Sequence, residues 1–252
     1  MLEVVQLAKE YKGFRAVDSI SFSIHPGEIV GLLGPNGAGK TTALRCIAGI
    51  LRPTAGRVLI NGYDIVADQA RAKTGMAFVP ELPSLYELLT VDEHLRFVAM
   101  CFNRLDQYEQ KGNELLRRYH LEEKRNELVA TLSKGMRQKL AIACALIHDA
   151  NVMLFDEPII GIDPAGVAEV KAELQRARAS GCSVLVSTHL LDTAEKLCDR
   201  IIILSRGRIV AEGTLAELRT LSHSEGSLED VFLKLTDESP AAAPVPDGTN
   251  AV

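Results

Sequence analysis

The chain has 252 residues, of which 47% are hydrophobic and 24% charged, and a formal net charge of -5. That length allows one large α/β domain or a core with a smaller lobe; the composition excludes disordered and collagen-like classes, and the acidic balance gives no support to a general nucleic-acid binder, which needs a basic face. The five cysteines, Cys46, Cys101, Cys144, Cys182 and Cys198, form no C-x-x-C pair and four lie in apolar surroundings, so they read as reduced core thiols of a cytosolic protein.

Residues 1–10 carry neither a basic n-region nor a long apolar stretch, so no signal peptide is expected there. The longest apolar run, 140–147, is far short of the ~18 residues that suggest a membrane span. Work at a membrane would need another chain to do the spanning. Residues 19–24 alternate, with Ile20, Phe22 and Ile24 on one face, and predict a strand of an antiparallel N-terminal portion. His25-Pro26-Gly27 turns the chain, and the apolar run 29–33 predicts a strand buried on both faces. From Thr41 the pattern is helical, with Leu44, Ile47 and Ala48 on the apolar stripe. A turn at 53–56, a short strand at 57–60 and a turn at Asn61-Gly62 follow, then a strand at 76–79 stopped by Pro80.

From about Pro83 the composition shifts to a helical pattern. Thr90-Val91-Asp92-Glu93 is a capping box, with Leu95, Val98, Ala99 and Phe102 behind it at helix spacing. A second, charged helix is expected from Asp106 through Tyr119. The whole of about 83–150 reads as a helical lobe inserted in a sheet domain. Strand patterns resume at 152–155 and 183–187, each followed by a helical pattern, the βα repeat of a parallel sheet. Residues 201–204 and 209–210 flank Arg206-Gly207 as a hairpin. Residues 236–252, rich in Pro, Ala, Asp and Ser, read as a loose tail, leaving 1–235 as one domain.

Gly34-Pro35-Asn36-Gly37-Ala38-Gly39-Lys40-Thr41 fits G-x-x-x-x-G-K-[ST] between a buried strand and a helix, and Thr42 continues it. Glycines allow backbone N–H groups to turn inward around a β-phosphate, and the helix starting at Lys40 aims its positive end at the same oxygens. Lys40 would reach the β/γ-phosphates and the Thr41 hydroxyl would ligate Mg²⁺. Asp156 and Glu157 emerge at the carboxyl end of the 152–155 strand, where α/β sheets place their ligands. Asp156 would orient the Mg²⁺ shell and Glu157 would polarise an attacking water as general base. A capped helix beginning at Ser133 presents a hydroxyl and free N–H groups to an anion; on this segment alone an ordinary capped core helix is the alternative.

This set of motifs resembles the nucleotide-binding subunit of ATP-binding cassette transporters, over about residues 2–235. The phosphate loop and the Asp156-Glu157 strand look like that family's Walker A and Walker B. Leu132-Ser133-Lys134-Gly135-Met136-Arg137-Gln138 looks like its signature segment, commonly LSGGQ, with Lys134 in place of the first paired glycine and Met136 in place of the glutamine. The SKGMRQK form resembles an exporter branch handling drugs, polysaccharides and sodium. Tyr11 resembles the aromatic that stacks on adenine; a half-buried strand tyrosine is the alternative. His189 resembles the switch histidine at the γ-phosphate, and Asp163 the loop that links two active sites, its alternative being a helix cap. Glu81 stands where the family's loop glutamine is usual and could reach Mg²⁺ or a water. Ser227-Leu228-Glu229-Asp230-Val231-Phe232 resembles a C-terminal segment of the same branch.

The resemblance implies an α/β fold: a P-loop NTPase core with a mostly parallel sheet, an N-terminal antiparallel β subdomain and an inserted α-helical subdomain. It implies Mg²⁺-dependent ATP hydrolysis by Glu157, His189 and Lys40. It implies a homodimer or heterodimer in which Ser133 and Gly135 of one subunit contact ATP held by the other. It also implies an integral membrane permease as partner, no nucleic acid, and a cytoplasmic place on the inner face of the cell membrane. The alternative is a soluble ATPase of the same family acting on nucleic acid or ribosomes. The chain's single cassette, short insertion and acidic balance weigh against it. No N-K-x-D guanine motif is present, which weighs against a GTPase.

Overall fold

The alternation at the N-terminus becomes a hairpin. β1 (Leu2–Tyr11) and β2 (Phe14–Ile24) pair antiparallel, and the register sets Ile20, Phe22 and Ile24 opposite Leu7, Val4 and Leu2. All six side chains are buried. The computed structural model describes residues 1–160, 162–224 and 226–237. Gly27, at φ 76, turns the chain into β3 (Glu28–Leu33), which ends on the glycine loop and α1 (Lys40–Ile47). β4 (Ala55–Ile60) returns to pair with β1. Asn61 (φ 51) and Gly62 (φ 84) then form the two-residue turn to β5 (Tyr63–Asp64), the positive-φ pair such a turn demands.

After α2 (Gln69–Thr74) and β6 (Met76–Val79) comes the helical insertion, α3 (Val91–Cys101), α4 (Tyr108–Arg118) and α5 (Lys134–Leu146). The remainder alternates: β7 (Val152–Asp156), α6 (Pro164–Ala179), β8 (Ser183–Ser187), α7 (Leu191–Leu197), β9 (Arg200–Ser205), β10 (Arg208–Gly213), α8 (Leu215–Leu221) and α9 (Leu228–Asp237). Two sheets result. One is antiparallel, in the order β2-β1-β4-β5; the other runs β10-β9-β3-β8-β7-β6 and is parallel except for the β9–β10 hairpin at its edge.

The large sheet is buried on both faces, as its uninterrupted apolar runs require. Val30, Leu32, Val152, Leu154, Leu185, Ile202 and Leu204 face α1 and the antiparallel sheet. Ile29, Met153, Phe155, Val184 and Val186 face α5 and α6. α1 is thus held between two sheets, with Ala43, Leu44, Cys46 and Ile47 buried. Its position, and with it that of the glycine loop, is set by packing on both sides.

The Thr90–Glu93 capping box forms at the start of α3, both reciprocal bonds present. The second helix of the lobe starts later than expected. Residues 105–107 form a single 3₁₀ turn, and the α-helix begins at Tyr108, whose buried ring sends its hydroxyl to Asp92 Oδ1 at 2.8 Å and Asp92 O at 3.1 Å. That anchorage to α3 accounts for a start at Tyr108 and not at Asp106. At the other end, Ser227 and Asp230 cap α9, Leu228 and Val231 are buried, and the helix runs through Asp237. Thr236 is therefore helical, and the rest of the expected tail, 238–252, lies outside the described residues. Cys46 is buried and its thiol is pushed up to about 11 by that burial, whereas Cys101 is exposed.

Two histidines of the lobe, His94 and His148, are each only 4% exposed. The His148 ring stacks on Phe102 at 3.7 Å between centroids, and its Nε2 lies 3.1 Å from the Met76 carbonyl oxygen. Burial pushes both imidazoles below their usual pKa. In the unfolded chain they take protons near pH 6.5, and in the fold only at lower pH, so between those values the unfolded state binds more protons. Stability contributed this way is complete above about pH 6.5 and is lost as pH falls through that window. Thermal unfolding from pH 7.5 down to 5.5 is expected to show a falling midpoint, and His148→Phe, which keeps the stack, a shallower fall. An unchanged slope would remove His148 from the acid response.

Candidate functional site

The phosphate loop sits where the middle of the sheet ends. β3 lies between β8 and β9 and runs directly into Gly34. The loop presses on β9: a Cβ at Gly34 would stand 2.3 Å from the Leu204 carbonyl oxygen. Gly37 (φ 79) and Gly39 (φ 103) take conformations closed to most side chains. The Ala38 N–H donates to Pro35 O at 3.1 Å, and Ala38 O accepts from the Gly207 N–H at 2.9 Å, so the β9–β10 turn braces the loop. Lys40 opens α1, 8% exposed, and its ammonium donates to Gly34 O at 2.6 Å and Pro35 O at 3.3 Å. Burial pushes the ammonium below its usual pKa, with Glu157 and Asp156 acting in the opposite sense.

The carboxylates arrive from the neighbouring strand ends. β7 pairs β8 so that Asp156 stands beside Ser187, and the Ser187 hydroxyl donates to Asp156 Oδ1 at 2.6 Å. The Thr41 hydroxyl lies 3.4 Å from the same oxygen, joining the end of β7 to the start of α1. Glu157 follows at φ 47, a left-handed conformation that costs a non-glycine residue about 1 kcal/mol, with its N–H donating to Ser187 O at 3.1 Å. Glu157 Oε1 lies 2.9 Å from His189 Nδ1, while its Oε2 is buried without a hydrogen-bond partner. Thr188 shapes the turn that carries His189, its hydroxyl accepting the Leu190 N–H at 3.0 Å.

A cavity of about 530 Å³ brings the loop residues 36–42 together with Glu157, His189 and Glu81. Sequence reasoning missed two participants. Ser187, which holds Asp156, gave only the signal of being the last residue of an apolar strand. Phe14, 57% exposed, lines the cavity from β2, whereas the expected Tyr11 does not. Tyr11 pairs with Phe14 across the hairpin and has the Lys9 ammonium 5.0 Å from its ring centroid. The two-residue turn between them puts the two rings at different positions, which a motif offset cannot distinguish.

Ser133 and Gly135 do not line this cavity. They open on a separate one of about 100 Å³ between α5 and α6, together with Asp163. Ser133 caps α5, its hydroxyl accepting the Met136 N–H at 3.3 Å, and Asp163 caps α6, accepting the Gly166 N–H at 2.7 Å. The neighbouring Gly161 lies outside the described residues. Met136 packs on the lobe's core, which accounts for an apolar residue where the resemblance suggests glutamine. Among the described residues no helix is long and apolar enough to cross a membrane.

A family model described as ABC transporter matches residues 17–160. The ABC-type transporter ATP-binding protein EcsA of Bacillus subtilis (strain 168) is 38% identical over 94% of this chain and 97% of its own length. The lipopolysaccharide export system ATP-binding protein LptB of Escherichia coli (strain K12) is 38% identical over 88% of this chain and 94% of its own. A solved structure of an ATP-binding subunit of an ABC transporter superposes with a TM-score of 0.89 at 37% identity, covering 93% of this chain and 99% of that one. The dimeric post-hydrolysis structure of the cassette MJ0796, bound to ADP and Pi, has a TM-score of 0.78 at 27% identity over 85% of this chain and 99% of that one.

Proposed function

Because this chain belongs to the ABC transporter family, we propose that it powers export through a separate membrane permease, as one of two nucleotide-binding subunits that close around two ATP molecules. It is the ATP-binding, ATP-hydrolysing component. The observation that carries the site is the arrangement at the ends of β7 and β8: a buried carboxylate oxygen of Glu157 without a partner, braced through its other oxygen by His189, in the cavity of the phosphate loop.

The residues divide the work. The loop and Lys40 hold the β- and γ-phosphates, with Phe14 offering an aromatic face to the base and Tyr11, its cross-strand partner, outside the cavity. Thr41 and Asp156 present only oxygen atoms 3.4 Å apart, a donor set that suits Mg²⁺. Mg²⁺ bound there would offset the negative charge of the β- and γ-phosphates. Glu81 stands on the cavity wall, where its carboxylate can hold a water of that shell. Glu157 takes a proton from the attacking water, whose oxygen bonds to the γ-phosphorus as the bond to ADP breaks; His189 keeps the carboxylate aimed and reaches the γ-phosphate.

Ser133 and Gly135 open away from the phosphate loop of their own chain, which fits contact with ATP on a second copy. Export is supported by the SKGM segment and by the likeness to LptB. The permease would seat on the helical lobe beside Glu81, where a groove of about 560 Å³ has an exposed apolar rim at Leu82 and Ile50. That contact would hold the chain at the inner face of the cell membrane. Affinity purification from native membranes in detergent tests this: a polytopic membrane protein is expected to copurify, and its reconstitution with the chain to stimulate phosphate release. Recovery with RNA or ribosomes and without a membrane protein would favour the soluble alternative.

A further inference from the structure

The helix carrying Ser133 is tied to the segment carrying Glu157 and Asp163 by groups outside the reaction. Lys139 of α5 meets Glu169 of α6, Nζ to Oε2, at 2.8 Å, a charge contact without hydrogen-bond geometry at that oxygen, with both side chains about three-quarters buried; His120 Nε2 stands 3.7 Å from Oε1 of the same carboxylate. One position earlier on α5, Gln138 is 5% exposed and its amide lies 3.4 Å from the carbonyl oxygen of Pro158, the residue after Glu157. One helical turn beyond Glu169, the buried Glu173 takes Arg118 at the end of α4 at 3.6 Å and Arg176 at 2.6 Å. Glu169 and Glu173, four residues apart, therefore form one acidic face of α6 that receives cations from two helices of the inserted lobe.

Apolar packing between the starts of these helices is incomplete. The cavity of about 100 Å³ separates them, and a Cβ at Gly135 would find nothing nearer than Ile162 Cγ2 at 3.9 Å. We propose that Lys139 and Glu169 are positioning residues whose ion pair locks the Ser133 end of α5 to the Asp163 end of α6. The surface one copy offers to its partner's ATP then moves as a unit with the segment holding its own Glu157. This rests on the reading that Ser133 and Gly135 complete a second copy's site. A partly exposed pair adds little to stability, but a displacement of about 1 Å at a reacting site can cost on the order of 10²-fold in rate.

The test is a charge-swap cycle in the full chain. Lys139→Gln and Glu169→Gln are each expected to lower kcat for ATP about tenfold, with KM within about twofold, since the phosphate loop is untouched. The swap Lys139→Glu with Glu169→Lys is expected to recover most of kcat, and each single reversal to stay slow. Melting temperatures of the two glutamine variants separate a folding defect from misplacement. Single variants with native kcat, or a double swap as slow as its parents, would overturn the proposal. ATP-dependent dimerisation of Glu157→Gln, measured alongside, reports on the underlying reading by itself. A dimer that forms while the cycle shows no coupling sinks only the positioning role; absence of a dimer sinks both.

Discussion

Glu157→Gln is expected to slow ATP hydrolysis by about a thousandfold while leaving ATP affinity nearly unchanged, and to accumulate a dimer in the presence of ATP. The amide keeps the shape of the carboxylate and can still meet His189, whose Nδ1 lies 2.9 Å from Oε1. What it lacks is a basic oxygen at the position of Oε2, the buried atom without a partner. Losing a positioned general base costs roughly 10²–10⁴ in rate. The phosphate loop, Lys40 and Thr41 are untouched, so binding persists, and a closed dimer that depends on hydrolysis for release stays closed. Phosphate release together with light scattering in ATP and in ADP measures both halves. A variant that turned over at the native rate would remove Glu157 from the role of base; a slow variant that stayed monomeric in ATP would leave the base in place and remove the two-copy site.

The second large effect is expected at Gly39. Its φ of 103 is closed to residues with a Cβ, and a Cβ there would stand 2.4 Å from the Ala16 carbonyl oxygen in β2. That oxygen belongs to backbone in the antiparallel sheet and cannot swing aside as a side-chain terminus would. Gly39→Ala should therefore unfold the loop's phosphate-binding shape, with nucleotide affinity falling more than about a hundredfold. It should also destabilise the chain by about 3 kcal/mol, which for a domain of this size lowers the melting temperature by roughly 6–12 °C. Gly37 supplies the control. It too has a positive φ, 79, but a Cβ there meets nothing within 4 Å, so Gly37→Ala should cost only about 1 kcal/mol. Nucleotide titration and thermal unfolding on the two variants separate a steric effect from a general intolerance of the loop. Equal effects at both positions would show that the β2 carbonyl is not what constrains Gly39.

Much of the site can be read along the chain because its chemistry is carried by short segments. The run from Ile29 into Gly34 and Lys40 is a strand, a loop and a helix in one stretch, and each part has a local signal: continuous apolar residues, glycines, then helix periodicity. The same holds for Asp156 and Glu157 at the end of β7, for His189 after β8 and for the capped starts of α3, α5 and α6. Boundaries were less legible. α4 begins at Tyr108 because a buried hydroxyl bonds to Asp92, a contact sixteen residues away in sequence.

The sequence by itself determined the βα repeat of the core, the glycine loop between β3 and α1 and the types of group at the candidate site, since these follow from residue spacing within ten or so positions; β1, β5 and α2 gave no such local signal. Only the tertiary structure decided which of those groups meet. Asp156 is held by Ser187 because β7 and β8 are neighbours in register, and Thr41 reaches Asp156 because α1 is packed between two sheets. Phe14 faces the cavity in place of Tyr11, and Lys139 finds Glu169, through the same kind of long-range placement. Parallel pairing and helix docking are selected by burial on both faces of the sheet, a property of the assembled core that no local window of sequence contains.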